Sequence, residues 1–346
     1  MDMTAANNNE GTNSNMLEKE GIQVGMFKAM TANAVIEKAK TEPEQRDLFR
    51  GLWNEGELAC LFADSNVGKS IFAVQMAEEI STKQTVLYFD CELSDRQFSK
   101  RYSNQDCSRS HHFPDNFIRS TIEPGAAFGG SYEDAFIRDV ENLARNLGTS
   151  VIIIDNLTYL CNSSEKGDLA AELMMKLMSL KMKYAWSMLI IAHTPKRDLS
   201  SPLDANDLAG SKKIFNFFDT IFALGKCRHD EGRRYLKQIK CRSAEFTYTE
   251  DNVMVFDLEK DDDGYLHFEA KGADTEDNLL SRKNYDAIQK SICSQMREGK
   301  SYREIGDAIN LSKSTVGRYA KKCTDVSCQP KTTIATPEQE DSLESM

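Results

Sequence analysis

The chain has 346 residues, 40% of them apolar and 28% charged, and a formal net charge of −11. That length suits one large domain and something small, with ordinary globular composition. No apolar run approaches bilayer-spanning length and the N-terminus lacks a charged-then-apolar secretory pattern, which excludes a membrane partner and points to the cytoplasm.

Nine cysteines, odd in number and without CxxC spacing, read as reduced thiols, neither disulfides nor zinc ligands. Residues 1–22 are rich in Asn, Thr, Ser and Glu and predict a disordered tail. A helical pattern runs from about Phe27 to Lys40 and ends at Thr41-Glu42-Pro43. The apolar strand Leu58–Phe62 then breaks into Ala63-Asp64-Ser65-Asn66-Val67-Gly68-Lys69-Ser70 and enters a helix. That is the strand, loop and helix N-terminus of a P-loop. Its backbone N–H groups face the polyphosphate of ATP, Lys69 reaches the β/γ-phosphates and Ser70 ligates Mg²⁺. Ala63 stands where the pattern has Gly, at little cost if φ is negative there and at high cost if it is positive.

Val86–Asp90 is a second apolar strand, and its carboxyl end places Asp90 and Glu92 near the phosphates. Glu92 is the candidate to position and deprotonate the attacking water; an acid that merely suits a helix start is the competing account. A helix around Asp134–Asn146 leads to Val151-Ile152-Ile153-Ile154, which closes on Asp155 in the Walker B pattern and makes Asp155 a second Mg²⁺ contact. Its place, roughly 85 residues after the P-loop, gives the pattern weight. Leu169–Tyr184 has leucines at helical spacing, and Met174, Met175, Met178 and Met182 beside them read as core packing. The buried strand Ser187–Ala192 ends at His193-Thr194-Pro195-Lys196, where His193 is a candidate γ-phosphate sensor or a satisfied structural histidine. Leu208–Ser211 starts a helix, Asp219–Leu224 is a strand, and Tyr235–Arg242 alternates as a strand with one solvated face. Val253–Leu258 and Tyr265–Glu269 form a hairpin.

This order of elements resembles the RecA-like P-loop ATPases, and more closely the RepA-like branch of hexameric replicative helicases from plasmids and mobile elements. The matching pieces are Ala63–Ser70, Glu92, Asp155, His193–Lys196, Gly210-Ser211 and Lys240-x-Arg242, over about Met26 to Ala270. The resemblance implies an α/β fold, with a mostly parallel sheet flanked by helices across residues 23–272. It also implies Glu92 as general base, Lys240 and Arg242 as fingers reaching the ATP of a neighbouring subunit, and a homo-hexamer. Its channel loops, here 156–168 and 196–207, would contact single-stranded DNA, although they hold few basic residues.

Charge is unevenly spread: Arg282–Lys322 has ten Lys/Arg against four Asp/Glu, a segment of +6 in an acidic chain. After a linker at 273–283, residues 284–323 predict three helices, the second opening on a Ser301–Glu304 capping box. They resemble the helix-turn-helix of resolvases and response regulators. Lys313, Ser314, Thr315 and Arg318 would face bases or phosphates of duplex DNA, with Tyr302 and Arg303 nearer the backbone. The alternative is a protein-interaction module with a solvated basic face. Residues 324–346 predict a disordered tail. The resulting expectation is an ATP-hydrolysing ring helicase of a plasmid-like element, against an ATP-switched DNA-binding regulator that does not translocate.

Overall fold

The computed structural model describes residues 17, 21–123, 125–127, 129–156, 166–195, 197–208, 214–311, 313–321 and 323, without the side chains of 166–169, 282–286 and 314. Nearly all of the two expected tails, most of the first channel loop, Lys196 and Gly210-Ser211 therefore lie outside the described residues. The chain divides into two compact units, Met1–Arg46 and Asp47–Met346.

In the first unit β1 (Ile22–Val24) and β2 (Phe27–Ala29) pair antiparallel, and α1 (Ala32–Thr41) follows. The helix expected from Phe27 starts later because Gly25, at φ 57°, closes a hairpin first. Thr31 then caps α1, its hydroxyl accepting the Ala34 N–H at 3.2 Å.

The second unit opens with the hairpin β3 (Asp47–Phe49) and β4 (Trp53–Asn54), then β5 (Leu58–Ala63), α2 (Lys69–Ser81), β6 (Val86–Asp90), α3 (Asp95–Arg101), β7 (Phe117–Thr121) and α4 (Tyr132–Leu147). Next come β8 (Val151–Asp155), α5 (Lys166–Tyr184), β9 (Ser187–His193), β10 (Thr220–Lys226), β11 (Arg233–Cys241), β12 (Val253–Lys260) and β13 (Leu266–Asp274). The helices α6 (Glu276–Leu280), α7 (Arg282–Arg297), α8 (Tyr302–Ile309) and α9 (Lys313–Ala320) complete the described chain.

Among the described residues one sheet has nine strands in the order β13-β12-β11-β10-β5-β9-β8-β6-β7. From β10 to β7 every pairing is parallel; β11, β12 and β13 add an antiparallel wing. This is a RecA-like α/β sheet, with the P-loop strand β5 inside it. Alternation along the strands sends Leu58, Cys60 and Phe62 to one face under α4 and α5, and Ala59, Leu61 and Ala63 to the other under α2. Both faces are apolar, so the central strands read as continuous hydrophobic runs. The expected methionine core is only partly that: Met174 is buried, whereas Met175 and Met182 are exposed on the outer side of α5. No helix among the described residues is long and apolar enough to cross a membrane.

Two segments differ from expectation. The lysine side of β11 is not solvated: Lys237 is buried and bonds to Glu276 at 2.5 Å. Glu276, 1% exposed, also accepts the Leu203 N–H at 2.8 Å and the Tyr235 hydroxyl at 2.9 Å. It belongs to α6, so residues 273–283 are no linker but the end of β13 and a helix whose Leu279 and Leu280 enter the core. Helices α7, α8 and α9 pack around Ile292, Ile305, Leu311, Val316 and Tyr319, and belong to the same unit as the sheet. The Ser301–Glu304 capping box starts α8 and Asn310, at φ 52°, ends it. The cysteine expectation is corrected here: Cys293 in α7 and Cys323 beyond α9 form a disulfide, their Cα atoms 6.3 Å apart. Three helices folding back on one another bring together residues that short-range cysteine spacing does not connect.

Glu276→Ala leaves the buried Lys237 with only the exposed Glu250, 3.8 Å away, and takes the partner from a tyrosine hydroxyl and a backbone N–H. The expected loss is about 3–5 kcal/mol of stability, read from urea unfolding against wild type.

Candidate nucleotide site

The loop after β5 turns without strain at Ala63. That residue still pairs with Leu224 on one side and His193 on the other, and it is not among the positive-φ positions. Alanine therefore replaces glycine there at no backbone cost. The left-handed conformations fall later, on Asn66 at φ 62° and Gly68 at φ 112°. Asparagine tolerates that region better than most residues, and glycine is required at 68, where a Cβ would lie 2.8 Å from the Phe268 ring. From the antiparallel wing, Arg234 Nε donates to Val67 O at 2.8 Å. Asp64, beside the turn, accepts the Thr194 hydroxyl at 2.5 Å and Arg197 Nε at 3.2 Å.

Lys69 folds back so that Nζ donates to Ala63 O at 2.9 Å and Asp64 O at 3.1 Å. Burial lowers its pKa, and Asp155, Glu92 and Asp64 pull it back up. Asp155 ends β8, fully inside, and its Oδ2 accepts the Tyr88 hydroxyl at 2.6 Å. Burial pushes its pKa up to about 6, while hydrogen bonds from Ser70 and Tyr88 oppose the rise. The Ser70 hydroxyl thus sits against the Asp155 carboxylate.

Glu92 lies two residues beyond β6 in a turn built by Asp90 and Arg119. Asp90 Oδ1 accepts the N–H groups of Glu92 and Leu93 at 3.1 and 2.9 Å, and Oδ2 takes Arg119 Nε at 2.9 Å. Arg119 also donates to Leu93 O at 2.6 Å and to Asp95 at 2.6 Å. Asp90, expected near the phosphates, is instead the buried brace of this turn, because its carboxylate is consumed by the chain around Glu92. The Glu92 carboxylate accepts a hydrogen bond from Asn156 Nδ2, and His193 Nε2 lies 3.5 Å from it. The hydrogen bond with His193 holds the Glu92 carboxyl below its usual range despite partial burial. Asn156 Nδ2 also lies 3.0 Å from His193 Nε2. The glutamate is thereby kept ionised at neutral pH and aimed by two neighbours.

Ser65 through Ile71, Glu92, Asp155 and His193 line one cleft of about 360 Å³, with Arg101 from the end of α3 and Leu258 on its walls. The loop amides and Lys69 fit a polyphosphate, and the Ser70–Asp155 pair fits a hard divalent cation that keeps phosphate oxygens and water as further ligands. Lys240 and Arg242 do not enter this cleft. Thr220, next to Ala59 in register, pairs with Cys241, so both residues sit at the end of the sheet opposite Ala63. There Lys240 Nζ donates to Phe215 O at 3.0 Å, and Arg242 to Asn216 O at 2.7 Å and Asp219 at 3.3 Å.

The four residues expected to face DNA are divided. Lys313 is exposed, and the Ser314 side chain lies outside the described set. Thr315 is 1% exposed and donates to Asp230 Oδ1 at 2.8 Å, while Arg318 Nη1 donates to Glu231 Oε2 at 2.9 Å. Thr315 is therefore buried under the acidic turn between β10 and β11, and Arg318, still 37% exposed, is paired with that turn. Sequence reasoning also missed Asn156, Arg101 and Arg234. Asn156, adjacent to the Walker B acid, carried a positional signal; Arg101 and Arg234 carried none.

A P-loop, a serine–aspartate pair and an aimed glutamate at the carboxyl ends of a RecA-like sheet define a nucleotide-binding P-loop ATPase. The AAA domain family profile matches residues 26–198, half of the chain. The chain belongs to the AAA domain family. Among solved structures it is similar to a KaiC-like protein from the hyperthermophilic archaeon Pyrococcus horikoshii, at 12% identity and TM-score 0.46, over 62% of this chain and 90% of that one. No curated protein matches it.

The raised Asp155 pKa has two signed consequences. Between the ordinary aspartate value and about 6 the native state keeps a proton that the unfolded chain has lost, so this carboxyl's contribution to stability falls as pH rises through that window. Mg²⁺-dependent nucleotide binding runs the other way and weakens as pH falls through about 6, when Asp155 becomes neutral. Tyr88→Phe, which removes one donor to the carboxylate, should move that midpoint upward; fluorescent-nucleotide titrations from acid to neutral pH measure it.

Proposed function

We propose that this ATPase is a ring-forming DNA helicase or replication and mobilisation protein of a plasmid or mobile element. In this reading it is a homo-hexamer using Mg²⁺ and ATP, bound to duplex DNA through α7–α9 as a helix-turn-helix. One observation carries the reading: Glu92, Lys69, Ser70 and Asp155 share a cleft, while Lys240 and Arg242 lie at the far end of the same sheet. A cation at that end can serve a second copy's phosphates but not its own, and Arg242 is half exposed there. Such fingers are worth about 10³–10⁵ in rate in related chemistry.

In the bound state Mg²⁺, held by Ser70 and Asp155, would neutralise charge on the β- and γ-oxygens. Glu92 holds the attacking water and takes its proton. Asn156 and His193 fix the direction of that carboxylate, and His193, opposite Ala63 in register, stands between the loop and the base. Lys69 exchanges the carbonyls of Ala63 and Asp64 for phosphate oxygens.

A second reading, an ATP-switched DNA-binding regulator that does not translocate, is favoured by the covered face of α9. It is also favoured by Arg197, the described base of the second channel loop, whose guanidinium is held by Asp64 at 3.2 Å and Asp207 at 3.1 Å. ATPase rate against protein concentration, with and without single-stranded DNA, separates the two. Turnover that rises with assembly and is stimulated by single strands supports the translocating ring. Assembly-dependent turnover indifferent to single strands supports the regulator, and turnover independent of concentration sinks the shared-site reading.

Lys69→Ala should abolish nucleotide binding. Glu92→Gln should bind normally and lose about 10²–10⁴-fold in turnover. Arg242→Ala should be inactive alone yet recover part of the rate when mixed with Glu92→Gln, since a mixed ring pairs an intact base with an intact finger.

A further inference from the structure

The turn joining β10 to β11 is engaged on both sides. Toward α9, Asp230 Oδ1 accepts the Thr315 hydroxyl at 2.8 Å, and Arg318 Nη2 lies 3.6 Å from it. Glu231 Oε2 takes Arg318 Nη1 at 2.9 Å, and the Tyr319 hydroxyl donates to His229 O. Asp230 is 1% exposed, and its Oδ2 is buried without a hydrogen-bond partner. Arg233 Nη2 adds a bond to Asn310 O, at the corner between α8 and α9, at 3.2 Å. Toward the nucleotide cleft, the buried Arg234 donates Nη1 to Glu231 O at 2.6 Å and Nε to Val67 O at 2.8 Å.

We propose that the acidic turn is a built-in occupant of the DNA-reading face of α9, and that Arg234 ties its release to the nucleotide loop. The inference rests on reading α7–α9 as the duplex-binding module. A hydroxyl and a guanidinium are the groups that bind backbone phosphates, and two adjacent carboxylates offer them oxygen acceptors of the same charge sign. Thr315, 1% exposed, cannot reach a duplex while the turn holds it, and Arg318, 37% exposed, has Nη1 on Glu231 and Nη2 on the Thr315 hydroxyl. DNA must therefore displace Asp230 and Glu231, and anything that loosens the turn strengthens DNA binding. Val67 immediately precedes Gly68 in the phosphate loop, and a single guanidinium spans its carbonyl and that of Glu231. A change in the Val67 carbonyl on filling the loop acts directly on the residue that holds Arg318. Reciprocity follows: duplex DNA that frees the turn also changes nucleotide affinity by the same factor.

The test uses the full chain and a labelled generic duplex of about 30 base pairs at low ionic strength, where non-specific phosphate contacts suffice for binding. Binding is read by anisotropy, and docking of α9 by amide hydrogen exchange. Asp230→Asn with Glu231→Gln should speed exchange in α9 and tighten duplex binding about tenfold or more, within the usual range of coupling factors. Arg318→Ala in that background should remove the gain. Arg234→Lys keeps the charge but loses the two-carbonyl bridge, and should leave duplex affinity unresponsive to a non-hydrolysable ATP analogue with Mg²⁺. Unchanged exchange and affinity in the double variant overturn the proposal. Wild type that already binds duplex through Arg318 as tightly as the variant leaves the DNA-reading role standing and removes the occluding turn alone. Faster exchange in α9 with no gain in duplex binding removes both. A nucleotide response that survives Arg234→Lys overturns the coupling.

Discussion

Everything at this site depends on β5 being unable to move. It is buried at every position, with parallel neighbours hydrogen-bonded on both sides, so the chain must leave the sheet at Ala63 and nowhere else. The parallel register then fixes what surrounds the exit. His193 lies opposite Ala63, and Asp90 opposite Asp155. One strand, β9, separates the P-loop strand from the Walker B strand, which leaves a gap of roughly 10 Å at the carboxyl ends. His193 stands in that gap, and Glu92 and Asn156, each just beyond its own strand, meet beside it. No loop has to be long for these groups to converge, because the sheet does the positioning.

The chemistry requires charge in a place that folding would prefer dry. Burial raises the Asp155 pKa and lowers that of Lys69, so it works against the charged form of each. Each is held by neighbours that act against burial: Tyr88 and Ser70 on the aspartate, and three carboxylates around the lysine. Mg²⁺ and phosphate would complete what these partners begin. The antiparallel wing solves the same problem for structural ends. Arg233 pairs with Asp257 at 3.0 Å and Lys237 with Glu276 at 2.5 Å, so ion pairs add to the packing of Phe256 and Phe268 in holding this wing.

How much of this was legible in the sequence follows from the range over which each constraint acts. The P-loop, Asp155 and Glu92 are readable because phosphate and metal chemistry demand given residue types within a few positions of a strand end. The conformation at Ala63 was readable only as a condition, since the sequence does not say where the left-handed residues fall; they fall at Asn66 and Gly68. Lys237 looked solvated because alternation marks two faces but not which of them a distant helix covers. Glu276, which neutralises it, lies almost forty positions later in a stretch of linker-like composition. The Cys293–Cys323 bond, the Arg234 bridge and the docking of α9 are likewise pairings between residues far apart in the chain. No local pattern encodes them.

One strand draws these distant pairings together. β11 begins beside the acidic turn that holds α9, places Arg234 against Val67 in the phosphate loop, and ends at Lys240 and Arg242 on the opposite rim. Nine residues of extended chain span about 30 Å. It is paired to β10 from Arg234 to Cys241 except at Ile239, and to β12 from Arg233 to Leu236, so its first half is hydrogen-bonded on both sides. A register shift between Ile221 and Phe222 leaves Ile239 unpaired, a bulge that bends and twists the strand just before Lys240. The three features that the core does not supply from its own parallel strands are a grip on the phosphate loop through Arg234, a cation at the opposite rim and a hold on the C-terminal helices. All three are carried by this one antiparallel strand and its turn. The phosphate loop, the opposite rim of the sheet and α9 are therefore joined through one strand and its turn.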